Sequence, residues 1–577
     1  SYLRSLSFTM SLLPSFALSH SFLSLLFYFT SPPSYIHPDE HFQTISPIFH
    51  LLNRGKKQAH LTWEFFEKQR SIGSILPFVG QPIILSLFWL LFLLLNSSAS
   101  HRRAPSIHTS SSNQKNSISS PLSHKFKFDL SLVFHISLVF SHHLFSNSVE
   151  MVILFYLVRL IMRIEAMVRR DGGRLSQKAD SVANAASQAS RASRQRTFSP
   201  SADGHSPGHS LRLFSLFFTC GVLSAFGFWT RFSFAFALVI LSPYLLYLSY
   251  SHHKRSLIHF LDYILGFLCV GAVFVVVDSL YYGSFQRDGI WEITPINNLL
   301  YNMDKSNLAL HTLHPRYLHA LVNFPLLFGP LGVYLYVKEA KSLVQLVCLF
   351  LKPRGSLRRR FHILSHSRPL LDFVMIALLA SYLFCFSMAP HQEMRFLLPL
   401  AVPVCFLLTR HLRKIEGGVF KKLLLGFSAV HMVVFIVIFG YLHQGGVVPS
   451  LRQFAKESRA NVLQMPVSDR LFSTDYPLNV IYSHTYMPPK YLLDQDVDDP
   501  KILLHDVAGD LQLMQRTIDT LIQEKRPLYL VTPASLVSQS PEMYNSYERI
   551  TCMYPHLSME DPPRSPDQLC LQLLRIQ

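Results

Sequence analysis

Charge is scarce in this chain. Only 15% of its 577 residues are Asp, Glu, Lys or Arg, while 49% are hydrophobic and 13% aromatic. Soluble domains carry nearer a quarter charged residues, so this balance excludes an ordinary water-soluble enzyme and predicts a polytopic, mainly α membrane protein. Cysteine is sparse and unpaired in sequence: Cys220, Cys269, Cys348, Cys385, Cys405, Cys552 and Cys570 show no CxxC spacing that would hold zinc or a redox dithiol. Gly172-Gly173 and Gly445-Gly446 lack the strand, spacing and Lys of a nucleotide-binding loop. No HxH or HExxH spacing accompanies His37 and His41, and His252-His253 lie far away in a basic loop, so no metal is expected. There is no internal repeat and no pair of broken helices, which counts against a transporter.

What charge there is has one sign. The formal net charge is +18, but the basic residues fall in blocks between apolar runs instead of along one soluble face with interleaved aromatics. That pattern sets membrane topology and does not suggest nucleic acid. About eleven transmembrane helices are expected, at 8–30, 82–95, 128–145, 149–168, 211–229, 232–250, 256–278, 319–337, 370–388, 394–409 and 424–443. The runs at 82 and 394 are short and must borrow flanking residues, tilt little or enter partway. The first is read as a retained anchor, since no small-residue cleavage site precedes Pro32-Pro33.

Arg170, Arg174, Lys178, Arg191, Lys254-Arg255, Arg358-Arg359-Arg360 and Lys421-Lys422 all land on one side of this alternation. With that side cytosolic, the N-terminus is cytosolic and the loops at 31–81 and 279–318 face the other compartment with the tail after Tyr441. The Asn96-Ser97-Ser98 sequon is then cytosolic and expected to stay unglycosylated. Residues 1–443 are thus a multi-spanning catalytic region in which 96–127 and 170–210, rich in Ser, His and basic residues, are flexible cytosolic segments. Residues 444–577 carry short apolar runs around Leu503–Lys525, whose spacing is helical, and predict a small mixed α/β C-terminal luminal domain. Cys552 and Cys570 can pair there only if the compartment is oxidising.

With the basic loops placed, the unusual polar residues sort to the opposite face. They comprise His37-Pro38-Asp39-Glu40-His41-Phe42-Gln43, Thr62-Trp63-Glu64-Phe65, Trp229-Thr230-Arg231, Asp278 to Gly283, Thr294 to Asn302, His314-Pro315-Arg316 and Pro390 to Phe396. Acids and fixed cations at helix ends suit transfer of a sugar from a lipid phosphate. A carboxylate takes the acceptor hydroxyl's proton while guanidinium groups neutralise the departing phosphate. Adjacent Asp39 and Glu40 cannot both ionise easily if desolvated, so one pKa is expected to rise unless Arg or His partners compensate.

The run from Tyr35 to Gln43 resembles the first luminal loop of the mannosyltransferases that use dolichyl-phosphate-mannose in glycosylphosphatidylinositol (GPI) assembly, most of all those adding the fourth mannose. Thr62 to Phe65 with Arg70-Ser71, Ser146 to Glu150, Asp278 to Gly283, Thr294 to Asn302, His314 to Arg316, Asn323-Phe324-Pro325, Pro390 to Phe396 and Thr485 to Pro489 extend the likeness along the chain. The resemblance implies a C-type glycosyltransferase fold in the endoplasmic reticulum membrane, a luminal site, and a metal-independent, inverting transfer of mannose from dolichyl-phosphate-mannose to a trimannosyl GPI acceptor. Third-mannose GPI transferases and N-glycan precursor mannosyltransferases share the acidic loop and are the alternatives.

Carried onto these positions, Asp39 is the expected general base with Glu40 beside it. Arg316, Arg395, His314, His391 and Arg231 are expected at the donor phosphate, although an Arg at a membrane boundary also snorkels or caps a helix. His37, His41, Gln43, Glu64, Asn297, Asn298, Asn302, Gln392 and Glu393 are expected to meet substrate, the asparagines also being turn formers. Trp63, Trp229 and Tyr282 either stack on a sugar or sit in the interfacial aromatic belt.

Overall fold

The computed structural model describes residues 134–140, 146–189, 207–252, 257–304, 314–351, 369–415, 418–459, 477–523 and 528–576, together with 35, 36, 46, 47, 49, 53, 56, 57, 68 and 71. The expected spans at 8–30 and 82–95, the segment 96–127 with its sequon, and His37, Asp39, Glu40, His41, Gln43, Trp63 and Glu64 lie outside them. The chain separates into two compact units, one of residues 64–76 and 146–414, the other of 1–63, 77–145 and 415–577.

Seven helical stretches among the described residues are long and apolar enough to cross a membrane: Ser210–Thr230, Phe232–Ser251, Ile258–Tyr282, His319–Gln345, Leu370–Met388, Met394–Lys414 and Val419–Leu442. The protein is therefore a mainly helical, multi-pass membrane protein. These are the seven expected runs from 211 onward. Of the remaining four, 128–145 contributes a helix α1 (Phe134–Phe140) and 149–168 lies inside α2 (Ser146–Ala189). The 394 run borrows flanking residues. It is 21 residues long because a tight-turned start, Met394–Leu400, precedes its α-helical part.

In the first unit, α2 packs against α3 (Pro207–Thr230), α4 (Ala235–His252) and the Met394–Leu400 turn. Within the expected 170–210 segment, α2 runs on through Arg170 to Ala189. Ala, Gln, Arg and Lys in that tract are good helix formers, and the helix is already nucleated by its apolar half. Helix α3 also meets α5 (Ile258–Tyr282) backbone to backbone. A Cβ at Gly221 would lie 2.0 Å from the Tyr263 carbonyl and one at Gly266 2.2 Å from that of Phe218, so only glycine permits this approach. After α5 come the short helix α6 (Thr294–Met303), α7 (Phe324–Leu351) and α8 (Leu370–Met388). The Met394–Lys414 span, which ends in α9 (Ala401–Lys414), is 83% buried, whereas Ile258–Tyr282 is only 22% buried. The former is the central helix; the latter shows Leu261, Leu268 and Val273 outward, as lipid contact requires.

The second unit combines α1 and α10 (Val419–Val437) with α11 (Val447–Arg459), α12 (Leu511–Gln523) and a five-stranded sheet. Its strands are β1 (Leu478–Tyr482), β2 (Ile502–Asp506), β3 (Leu528–Pro533), β4 (Glu548–Met553) and β5 (Leu571–Ile576), in the order β2-β1-β3-β5-β4. The first three are parallel and the last two antiparallel. Every residue of β1 is buried because both faces are covered. Leu478, Val480 and Tyr482 pack with Val447, Leu451 and Phe454 of α11, and Ile481 packs with Met514, Ile518 and Leu521 of α12. Cys552 and Cys570 form a disulfide, Cα atoms 5.7 Å apart, tying β4 to the start of β5.

Candidate functional site

The turn between α8 and the central span concentrates the first unit's polar residues. Helix α8 ends with orphan carbonyls, and the Gln392 amide donates to two carbonyls there, Ser387 O at 3.2 Å and Ala389 O at 3.1 Å. Its Oε1 accepts the His319 backbone N–H at 2.9 Å. Both ends of this buried side chain, expected at the substrate, are thus engaged with backbone groups at helix ends. From the neighbouring loop, His314 N donates to Pro390 O at 2.8 Å, and its ring Nδ1 accepts the Gln392 backbone N–H at 3.3 Å.

This brings His314 and His391 to a ring separation of 5.7 Å. His391 Nε2 shares a 2.5 Å hydrogen bond with Glu393 Oε1, and the other oxygen of Glu393 accepts from Arg395 Nε. Arg395 is buried. Its guanidinium lies 5.3 Å from the centre of the Phe396 ring, and that of Arg231 lies 5.3 Å from the same ring. One aromatic face system thus joins two cations far apart in sequence.

Arg231 is held more firmly still. Its Nη1 donates to Ser146 Oγ at 2.9 Å and Asn147 Oδ1 at 3.3 Å, and its Nε lies 3.6 Å from Glu150 Oε2. Glu150 is fully buried and also accepts from Tyr382 at 2.9 Å and Ser233 at 3.0 Å. Arg231 and Arg395 are each answered by a carboxylate, a pairing that stabilises the frame and reduces what either offers to a phosphate. Arg316 differs. It is exposed, its Nη1 lies 3.8 Å from Met388 Sδ, and among the described residues no carboxylate pairs with it. Paired side chains also occupy the opposite end of the bundle, Arg410 in a salt bridge with Asp372 and His411 hydrogen-bonded to Glu339. The sequence reading missed both.

A second polar group gathers where α5 ends. Buried Asp278 accepts from Ser71 Oγ and Thr294 Oγ1, each at 2.9 Å. Lys68 Nζ donates to Glu292 Oε1 at 2.7 Å and to Ser284 Oγ at 2.9 Å, while Asn297 Nδ2 donates to Glu292 Oε2 at 2.9 Å and Lys68 O at 3.1 Å. The stretch just after Trp63-Glu64 is therefore fastened to the 278–297 loop, with Asn297 as a fastening. Asn302 donates to Asn298 O at 2.7 Å along the exposed side of α6, and Tyr282 O accepts from Arg287 at 2.6 Å. Helix α6 packs against the Phe232–Phe234 turn next to Arg231, so both polar groups occupy one end of this unit. Trp229 is buried, stacked on Phe274 at 5.8 Å with Ile293 against it.

Lys68 and Glu292 carried no signal in sequence beyond Glu292 being a lone acid among Ile290, Trp291 and Ile293. Burial pushes the Glu292 carboxyl up, but the bonds from Lys68, Ser284 and Asn297 outweigh it and hold it below the usual range. A carboxylate with a lowered folded-state value stabilises fully above its unfolded value and loses that contribution as pH falls through the folded one. Glu292→Gln is thus expected to cost about 1–2 kcal/mol near neutrality, with a gap that stays flat down to about pH 5 and closes below about pH 4. Thermal unfolding of both proteins across that range checks it.

Residues 19–492 match the family model described as the Alg9-like mannosyltransferase family. The chain is 26% identical to GPI mannosyltransferase 4 of Candida albicans over 536 residues, 88% of each chain. It is 26% identical to GPI mannosyltransferase 4 of Saccharomyces cerevisiae over 549 residues, covering 88% of this chain and 87% of that one. The human GPI alpha-1,2-mannosyltransferase 4 is 31% identical over 315 residues, 52% of this chain, and the chain spans only half of that relative's length. No solved structure matches the chain.

Proposed function

This chain belongs to the Alg9-like mannosyltransferase family, and from that premise we propose that it is the glycosyltransferase of GPI-anchor biosynthesis that adds the fourth, α-1,2-linked mannose. The donor in this reading is dolichyl-phosphate-mannose and the acceptor a trimannosyl GPI. The acceptor hydroxyl attacks the anomeric carbon from the face opposite the phosphate, the bond from that carbon to the phosphate oxygen breaks with inversion, and the hydroxyl proton passes to the Asp39 carboxylate with Glu40 beside it. Dolichyl phosphate leaves. A C-type fold and action without metal follow from the same reading.

The observation that carries the assignment of roles is the contrast between the arginines. Arg231 and Arg395 are tied to Glu150 and Glu393, while Arg316 stands exposed two residues after His314, whose ring lies 5.7 Å from that of His391. Arg316 with these two histidines grips the donor phosphate, and Arg231 and Arg395 keep the turn that presents them. Arg316→Ala is expected to raise the donor KM at least tenfold with a smaller change in acceptor KM, measured with radiolabelled donor in membranes. An unchanged donor KM removes Arg316 from the phosphate site.

The site faces the lumen of the endoplasmic reticulum in this proposal, and the N-terminus faces the cytosol. The Cys552–Cys570 disulfide supports that orientation, since such bonds persist in oxidising compartments. In intact microsomes both thiols are expected to resist alkylation until a reductant is added. Loss of this 18-residue closure in Cys552→Ser is expected to destabilise the C-terminal sheet by about 3 kcal/mol.

A further inference from the structure

His319 opens the span that runs to Gln345, and its ring is fully buried there. The backbone widens at this point. Phe324 N–H donates to His319 O, five residues back instead of four, so His319–Asn323 form a single π-turn ahead of α7. Such turns recur at functional sites. Gln392 Oε1 accepts the His319 backbone N–H at 2.9 Å, and the ring lies 5.9 Å from that of Phe386 and 6.2 Å from that of Phe396. Asn323 Nδ2 lies 3.1 Å from its Nδ1. An amide nitrogen only donates, so Nδ1 is the acceptor and Nε2 carries the ring's proton. That N–H is buried and has no hydrogen-bond partner among the described residues.

We propose that His319 is a further donor-binding residue, its Nε2–H a fixed hydrogen-bond donor to an oxygen of the phosphate in the lipid-linked mannose donor. The inference rests on this chain being the mannosyltransferase proposed above. A buried donor left unmatched costs about 1–3 kcal/mol, and Phe or Leu would fill the same space without that cost. Packing alone therefore does not account for a histidine whose tautomer and depth are both set by its neighbours. The surroundings choose the ligand. Phe396, beside His319, also carries the Arg231 and Arg395 guanidiniums, each 5.3 Å from its centre, and meets the His391 ring at 5.9 Å. Gln392, which holds the His319 backbone, donates its own N–H to His314 Nδ1. The turn's carboxylate, Glu393, is engaged by His391 and Arg395. His319 thus shares its supports with His314 and His391, the two histidines assigned to the donor phosphate, and donors gathered with cations favour an anionic oxygen over a sugar hydroxyl. Charge on the phosphate oxygens grows as the bond to the anomeric carbon breaks, so a donor held rigid beforehand binds more strongly in the transition state. His319 keeps its proton throughout.

The test measures binding without turnover. Full-length protein purified in detergent is titrated with tritiated dolichyl phosphate, the phosphate-bearing part of the donor, and bound ligand is expressed per folded molecule from the thermal unfolding transition. His319→Phe keeps a ring of similar volume but removes the N–H. It is expected to weaken this binding about tenfold or more and to lower kcat/KM for the donor about 100-fold, with acceptor KM within about threefold of the parent. His319→Gln, whose amide reaches the Nε2 position, is expected to bind within about threefold of the parent, whereas His319→Asn, whose amide stops at the Nδ1 position, loses as much as His319→Phe. The Gln and Asn variants decide the matter even where the Phe variant does not fold. Dolichyl phosphate binding by His319→Asn equal to that of the parent overturns the proposal, as does a loss confined to acceptor KM. Phosphatidic acid is the control for a general phospholipid site and is expected not to displace dolichyl phosphate at equal concentration. Equal displacement, weakened to the same extent in His319→Asn, would remove the assignment to the donor. An intact chain that transfers no mannose from dolichyl-phosphate-mannose to any GPI or N-glycan acceptor defeats the mannosyltransferase reading and this inference together, whereas an active chain beside an equally active His319→Asn defeats only this inference.

Discussion

Replacing Asp39 by asparagine is expected to lower mannosyl transfer by about 10²–10⁴-fold, with membrane abundance and donor KM little changed. That range is what a positioned general base contributes. Asparagine keeps size and hydrogen bonding but cannot take the acceptor proton, so the loss falls on kcat and on kcat/KM together, as for an interaction made only in the transition state. Glu40→Gln is expected to lose less, since the neighbour tunes Asp39 electrostatically without receiving the proton. Rates with labelled donor in membranes carrying equal amounts of each variant decide it. Equal losses in the two variants would mean that the carboxylates share the task.

The second large effect is structural. Glu150→Ala is expected to destabilise the first unit by about 2–4 kcal/mol, because it leaves the half-buried Arg231 guanidinium without its carboxylate and strips buried Tyr382 and Ser233 of their acceptor. Glu150→Gln keeps an acceptor for Tyr382 and is expected to cost less. Arg231→Met with Glu150→Gln, which removes both charges, is expected to recover most of the stability of Glu150→Ala, since two neutral groups of similar size can replace a buried ion pair. Thermal unfolding in detergent measures all three. A change under about 1 kcal/mol for Glu150→Ala would show that water reaches this pair, and the account of Arg231 as a framework residue would fail.

The seven spans from 211 onward were legible because each is a long, largely apolar run, a signal that needs no partner. The extension of α2 to Ala189 was not, since a polar Ser, Ala and Arg tract reads as flexible when the apolar helix that nucleates it is considered separately. Among the site residues, motifs named positions but not the partners those positions have in the fold. Arg231, Arg395 and Gln392 look in sequence like groups waiting for substrate. Only the fold supplies Glu150, Glu393 and the helix-end carbonyls that occupy them. Lys68 and Glu292 are 224 residues apart, and Tyr35 and Met487 are 452 apart. No periodicity or spacing encodes such pairs; they exist because loops from distant helices end at the same place. The disulfide was legible as a possibility from the position of two polar-region cysteines, with topology deciding between thiols and a bond.

The central claim is the reaction itself. The most direct measurement incubates membranes containing this chain with dolichyl-phosphate-mannose and, separately, dimannosyl GPI, trimannosyl GPI and an N-glycan precursor, and counts mannoses on each lipid by mass spectrometry. One mannose added to trimannosyl GPI, released by an α-1,2-specific mannosidase and absent from the other two, is the predicted result. Extension of dimannosyl GPI or of the N-glycan precursor with none on trimannosyl GPI would contradict it.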